Sequence, residues 1–145
     1  MKQPLFLILF FAININAQNT NIKKSLDTFF EGLNTRDTLK IQSVCMPNFT
    51  LRTIEENGIV SNLVETPTTK FFKSIALIPA KMTIEERILR HQFMVDGTMA
   101  MAWLPYEFYV NDKLSHSGVN VFMMHKDDQV WKVISIVDTR RKPLI

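Results

Sequence analysis

Residues 98–141 read TMAMAWLPYEFYVNDKLSHSGVNVFMMHKDDQVWKVISIVDTRR, and this stretch decides the fold. It contains three long runs, 98–110, 114–125 and 130–138, rich in β-branched, aromatic and methionine residues. Between them stand Asn111-Asp112 and Asp127-Asp128, which suit tight turns. Upstream, 84–95 reads as one more strand, closed by Asp96-Gly97. Four strands joined in this way predict an antiparallel sheet, with strands longer than the usual length of about five or six residues. Pro105 cannot donate a ladder hydrogen bond and predicts a bulge or bend. Gly118 predicts a bend or a close backbone approach.

Further upstream the period changes. Ile22, Leu26, Phe29, Phe30 and Leu33 line one face of a helix, capped by Asn19, Thr20 or Asn21 and ended by Asn34. Asp37 reads as the N-cap of a short second helix carrying Ile41, Val44 and Cys45 inward, stopped by Pro47. Strands at 49–54 and 59–64 flank the turn signal Asn57-Gly58. Thr66-Pro67 reads as an N-cap with proline at the first helical position. Phe71, Ile75 and Ile78 form the inner stripe of that third helix, ended by Pro79. The fold class is therefore α+β: three N-terminal helices with an inserted β-hairpin, then four long antiparallel strands forming a curved sheet. The helices cover its apolar face.

The remaining features bound the function. Met-Lys-Gln, an apolar run over 5–13 and the small Ala17 form the layout of a secretory signal peptide. The expected division is 1–18 signal peptide and 19–145 one domain, exported to the periplasm or secreted. The apolar run is too short for a spanning helix, which needs about 20 residues, so no stable membrane insertion is expected after signal removal. Cys45 is the only cysteine and lies far from the cleavage region, which excludes an internal disulfide and a lipoprotein anchor. The core alone must hold the fold, and a hydrophobic share of 46% with 11 Phe suffices for one. Net charge is +3, with basic residues scattered except at Arg140-Arg141-Lys142, so no nucleic-acid partner is expected.

Several segments carry a resemblance. They are Trp103-Leu104-Pro105-Tyr106-Glu107-Phe108-Tyr109, Ser115 to Phe122, Trp131-Lys132-Val133-Ile134 and Asp138-Thr139-Arg140-Arg141. Together with the element order they resemble an exported bacterial branch of the nuclear transport factor 2-like superfamily, lumazine-binding-like or SnoaL-like. The resemblance implies a cone in which a curved sheet wraps a helix. It departs at Ser117, where the branch often has cysteine, so no thiol chemistry is carried over. The superfamily holds isomerases, dehydratases, cyclases and many non-enzymes, so fold does not fix function.

The candidate pocket set is Tyr106, His116, Asn120, Asp138, Trp103 and Arg52. His116 and Asn120 point to one face of a strand with Gly118 between them, while Val119, Val121 and Met123 suit the other. Phe122 and Met124 share the parity of His116, so one face of the sheet is expected to form a homodimer interface. Asp138 ends an apolar strand, where a carboxyl can act as an acid or base or pair with Arg140. Arg52 suits an anionic ligand, or plain solvent exposure. His91, His116 and His125 lack zinc-ligand spacing, and no phosphate loop or nucleophile elbow is present, so no metal or cofactor is expected. Three functions follow: a non-catalytic binder of a small apolar or aromatic molecule, a metal-free isomerase, dehydratase or cyclase using His116 and Asp138, or a dimeric protein-interaction module.

Overall fold

The computed structural model describes the backbone of residues 5–143 and the side chains of 17–143. The expected signal segment lies almost wholly outside the residues whose side chains are described. In chain order the elements are α1 (Leu5–Thr35), α2 (Thr38–Ser43), β1 (Cys45–Asn57), β2 (Val60–Glu65) and α3 (Thr68–Ala76). Then come β3 (Ile84–Ile88), β4 (Gln92–Asp96), β5 (Met99–Val110), β6 (Lys113–Asp127) and β7 (Val130–Arg141). The α+β class is as read from the sequence. Among the described residues no helix is long and apolar enough to cross a membrane.

The expected stripe of α1 is buried from Ile22 to Leu33. In the full chain α1 runs straight through Asn19, Thr20 and Asn21, so none of them caps a helix start. Arg36, with φ of 61°, reverses the chain after α1, and Asp37 then caps α2 by accepting from the Lys40 amide at 3.0 Å. Pro47 does not end α2. The helix has already stopped at Ser43, and Pro47 lies inside β1 where the ladder to β7 is interrupted between Cys45 and Thr50. The third helix begins one residue later than expected, with Pro67 as its N-cap.

The sheet has seven strands in the order β2-β1-β7-β6-β5-β3, with β4 also on β5. The hairpin β1–β2 stands between the helices in chain order, as expected, and joins the sheet because β1 pairs in parallel with the last strand, β7. The expected single strand over 84–95 is two strands, β3 and β4, both antiparallel to β5. Side-chain parity explains the break. Ile84, Glu86 and Ile88 face inward on β3, whereas Phe93 and Val95 pack inward on β4. An unbroken strand would turn one of these sets to solvent. Pro105 sits at this junction without a register shift toward β6. Its carbonyl accepts from the Leu89 amide at 2.9 Å, so its missing N–H falls where β3 gives way to β4.

The β5–β6 turn uses Asn111 and Asp112, both at positive φ, as expected; the β6–β7 turn falls one residue later, on Asp128 and Gln129. The helices lie against the concave face of the sheet. Phe29 and Phe30 meet Phe122 edge-on at 5.1 and 5.6 Å, which joins α1 to β6.

Candidate functional site

The concave face of the sheet, α1 and α3 leave a cavity of about 350 Å³ between them. Aromatic rings from Phe29, Phe30, Phe71, Phe108 and Phe122 form much of its wall. Alternation along the strands places the polar residues: β5 turns Tyr106 inward, β6 turns His116 and Asn120, β7 turns Asp138 and Arg140, and β1 turns Thr53 and Glu55.

Register then brings several of these together. Thr53, Asp138 and Asn120 are direct neighbours across β1, β7 and β6. The Thr53 hydroxyl donates to Asp138 Oδ1 at 2.6 Å. Tyr106 O–H reaches Asp138 Oδ2 at 3.3 Å and the Thr139 carbonyl at 3.0 Å. Arg140 lies 3.7 Å from Asp138 Oδ2, so the aspartate is an ion-pair partner with both oxygens engaged. Burial pushes the Asp138 carboxyl up, and the Thr53 bond, Arg140 and the Tyr106 bond push it back.

Gly118 makes the Tyr106 contact possible. It stands opposite Tyr106 on β6, between β5 and β7. A Cβ there would lie 1.8 Å from the Thr139 carbonyl oxygen, so β7 approaches β6 closer than any side chain permits. The Thr139 hydroxyl accepts from the Val119 amide at 3.0 Å in this same gap. The close approach that the glycine predicted is thus the passage by which the Tyr106 phenol crosses to β7.

His116 stands opposite Phe108 and stacks on it, with centroids 4.8 Å apart. Tyr106 meets the same imidazole edge-on at 5.9 Å. Burial, with the Arg140 charge adding, pushes its pKa down to about 4, so the ring is neutral at pH 7. Its Nδ1 is 3.1 Å from the Ser115 hydroxyl.

Two members of the candidate set are not in the cavity. Trp103 and Arg52 have the opposite strand parity and lie on the convex face. Trp103 is 42% exposed, and Arg52 pairs with Glu65 at 2.9 Å. The anionic-ligand role for Arg52 and the pocket role for Trp103 therefore have no geometry behind them.

Glu86, which the sequence reading missed, is the most perturbed carboxylate of the site. It accepts from the Asn120 side-chain amide at 2.6 Å, across the width of β5. Burial is the main cause that lifts it from 4.5 to about 7, and the nearby Asp138 charge adds to this. Asn34 at the end of α1 fixes the β3 backbone here, donating to the Glu86 carbonyl at 3.5 Å and accepting from its amide at 2.8 Å. A signal existed: Glu86 sits between Ile84 and Ile88 on the apolar parity of its strand. Cys45 is buried outside this cavity and its thiol is pushed up to about 12, which leaves it unreactive. Among the described residues no group of three or more His, Cys, Asp or Glu could hold a metal ion.

No family model and no curated protein matches the sequence. Solved structures do match. An ntf2-like protein of unknown function from Shewanella baltica OS155 is similar at 17% identity and a TM-score of 0.65, over 88% of this chain and 96% of that one. A Streptomyces avermitilis member of the NTF2-like family, provisionally named a dehydratase, is similar at 13% identity and a TM-score of 0.67, over 88% and 99%. The beta subunit of a provisionally named aromatic-ring-hydroxylating dioxygenase from Novosphingobium aromaticivorans DSM 12444 is similar at 14% identity and a TM-score of 0.69, over 90% and 94%. At such identities the likeness is one of architecture, and it agrees with the element order and the curved sheet: this chain has the nuclear transport factor 2-like fold.

Proposed function

We propose that this is an exported, non-catalytic protein that binds a small, mostly apolar molecule in the cone cavity. The observation that carries the reading is the cavity itself, about 350 Å³, walled by phenyl rings and crossed by a few ordered polar groups. A cone filled by its own side chains, as a pure interaction module would have, fits this space poorly. Export rests on the N-terminal sequence alone. The proposal includes a homodimer packed through the convex face, where Met101, Trp103, Val121 and Met123 form an accessible apolar surface.

The enzyme reading with His116 and Asp138 has less support. Asp138 has both oxygens engaged, and His116, with its pKa near 4, is a weak base. Glu86 is the better-placed acid or base, and it keeps proton-transfer chemistry as the second reading. The deciding experiment is native mass spectrometry of protein purified from its own host. The binding reading expects a small molecule that stays with the folded chain and is released on denaturation. Consumption of that molecule by the protein would instead favour the enzyme reading.

A further inference from the structure

Glu86 has a partner for its hydrogen bond but, among the described residues, no ion-pair partner; the one positive charge that acts on it, from a distance, is that of Arg140, already paired with Asp138. Asn120 donates to Oε1, but among the described residues no basic side chain forms an ion pair with Glu86. Among the described residues Arg140 is the only Lys or Arg on the cavity wall. It is engaged with Asp138 and stands opposite Glu55 in the β1–β7 register. The described wall therefore carries three acids, Glu55, Glu86 and Asp138, against one base. The neutral His116 adds no positive charge. An anion entering the cavity would meet an excess of like charge. A cation would meet a free carboxylate oxygen on Glu86 and the faces of several phenyl rings, both of which attract it.

We infer that the cavity takes an organic cation, a protonated amine on an apolar or aromatic body, with its ammonium group donating to the Glu86 carboxylate. This rests on the cavity being the binding site. In the empty protein a proton does the work of the missing cation, which agrees with a Glu86 carboxyl that titrates near neutrality. The groups that face this carboxyl and shape its response to pH are Asp138 and Arg140 on β7, His116 and Asn120 on β6, and Tyr106 on β5. Binding of an ammonium releases the Glu86 proton, so affinity for the amine rises with pH until the carboxyl is fully ionised.

Three probes of one shape test this: 2-phenylethylamine, 2-phenylethanol and 3-phenylpropionate. Each is titrated into the ¹⁵N-labelled protein at about pH 8, where Glu86 is ionised, with the Asn120 side-chain amide as reporter. The amine is expected to bind roughly tenfold or more tightly than the other two, as a hydrogen bond to a charged group predicts. Glu86→Gln keeps an acceptor for Asn120 and should remove that preference, with little change for the alcohol. Equal binding of amine and alcohol, or tighter binding of the carboxylate, would overturn the cation assignment and leave the cavity as a binding site. Failure of all three to shift the reporter would count against the cavity reading itself. The comparison within the wild type stands even if the variant misfolds.

Discussion

Replacing Gly118 by alanine tests the central geometric statement about the site. The added Cβ would stand 1.8 Å from the Thr139 oxygen, and ordinary contact begins at 3.4 Å, so β7 must retreat by 3.4 − 1.8 = 1.6 Å. Overpacking of this kind costs about 1–3 kcal/mol. The retreat also breaks two hydrogen bonds to Thr139, from Tyr106 O–H and from the Val119 amide, at about 1 kcal/mol each. A loss of about 3–5 kcal/mol follows. With a urea m-value of about 2 kcal/mol per molar, the midpoint should fall by about 1.5–2.5 M at unchanged slope. A double-mutant cycle with Tyr106→Phe localises the cause. The hydroxyl should be worth about 1 kcal/mol beside glycine and almost nothing beside alanine. A Gly118→Ala loss below about 0.5 kcal/mol, the range of an ordinary surface change, would show that the two strands do not approach as described.

Three further outcomes are expected. The folded state holds a proton on Glu86 that the unfolded chain releases above about 4.5, so this group's contribution is fully present below 4.5 and is lost as pH rises to about 7. His116, lowered to about 4, acts with the opposite sign up to about 6.5, so the readout is the difference between wild type and Glu86→Gln, which should change by about 3 kcal/mol over the Glu86 window; a flat difference in denaturation midpoints would refute it. The protein should sediment as a dimer at micromolar concentration and Trp103→Glu as a monomer; a wild-type monomer would dismiss the convex-face contact. Intact mass after export should place the N-terminus between Gln18 and Thr20, and a chain retaining Met1 in the membrane fraction would contradict the signal reading.

Much of the fold was legible because each long strand carries its own turn chemistry and parity. Asn111-Asp112 and Asp96-Gly97 mark their hairpins, and the α1 stripe marks its buried face. What could not be read was pairing between distant segments. Nothing local in β1 announces that Thr53 meets Asp138, because parallel partners have no turn between them. The division of β3 from β4 was written in the sequence as a change of apolar parity between Ile88 and Phe93, hidden by the absence of glycine or proline at 89–91. The same holds for the site. His116, Asn120 and Tyr106 could be placed on one face from spacing alone. Glu86 could be found only by asking why a carboxylate shares the parity of Ile84 and Ile88, and Trp103 was misplaced by attending to its type instead of its parity.

The parallel contact of β1 with β7 has a consequence for how the molecule is made. Thr53 and Asp138 are 85 positions apart, and the last strand lies between the first hairpin and β6. Helices and hairpins can form early, since they need only neighbours in sequence, but the sheet stays in two pieces until its final segment arrives between them. Closing so long a loop carries a large entropic cost before any contact compensates it. High contact order of this kind slows folding. During synthesis the nascent chain therefore stays open until its C-terminal strand is free, and the wall that joins Thr53 to Asp138 is completed late, by that strand.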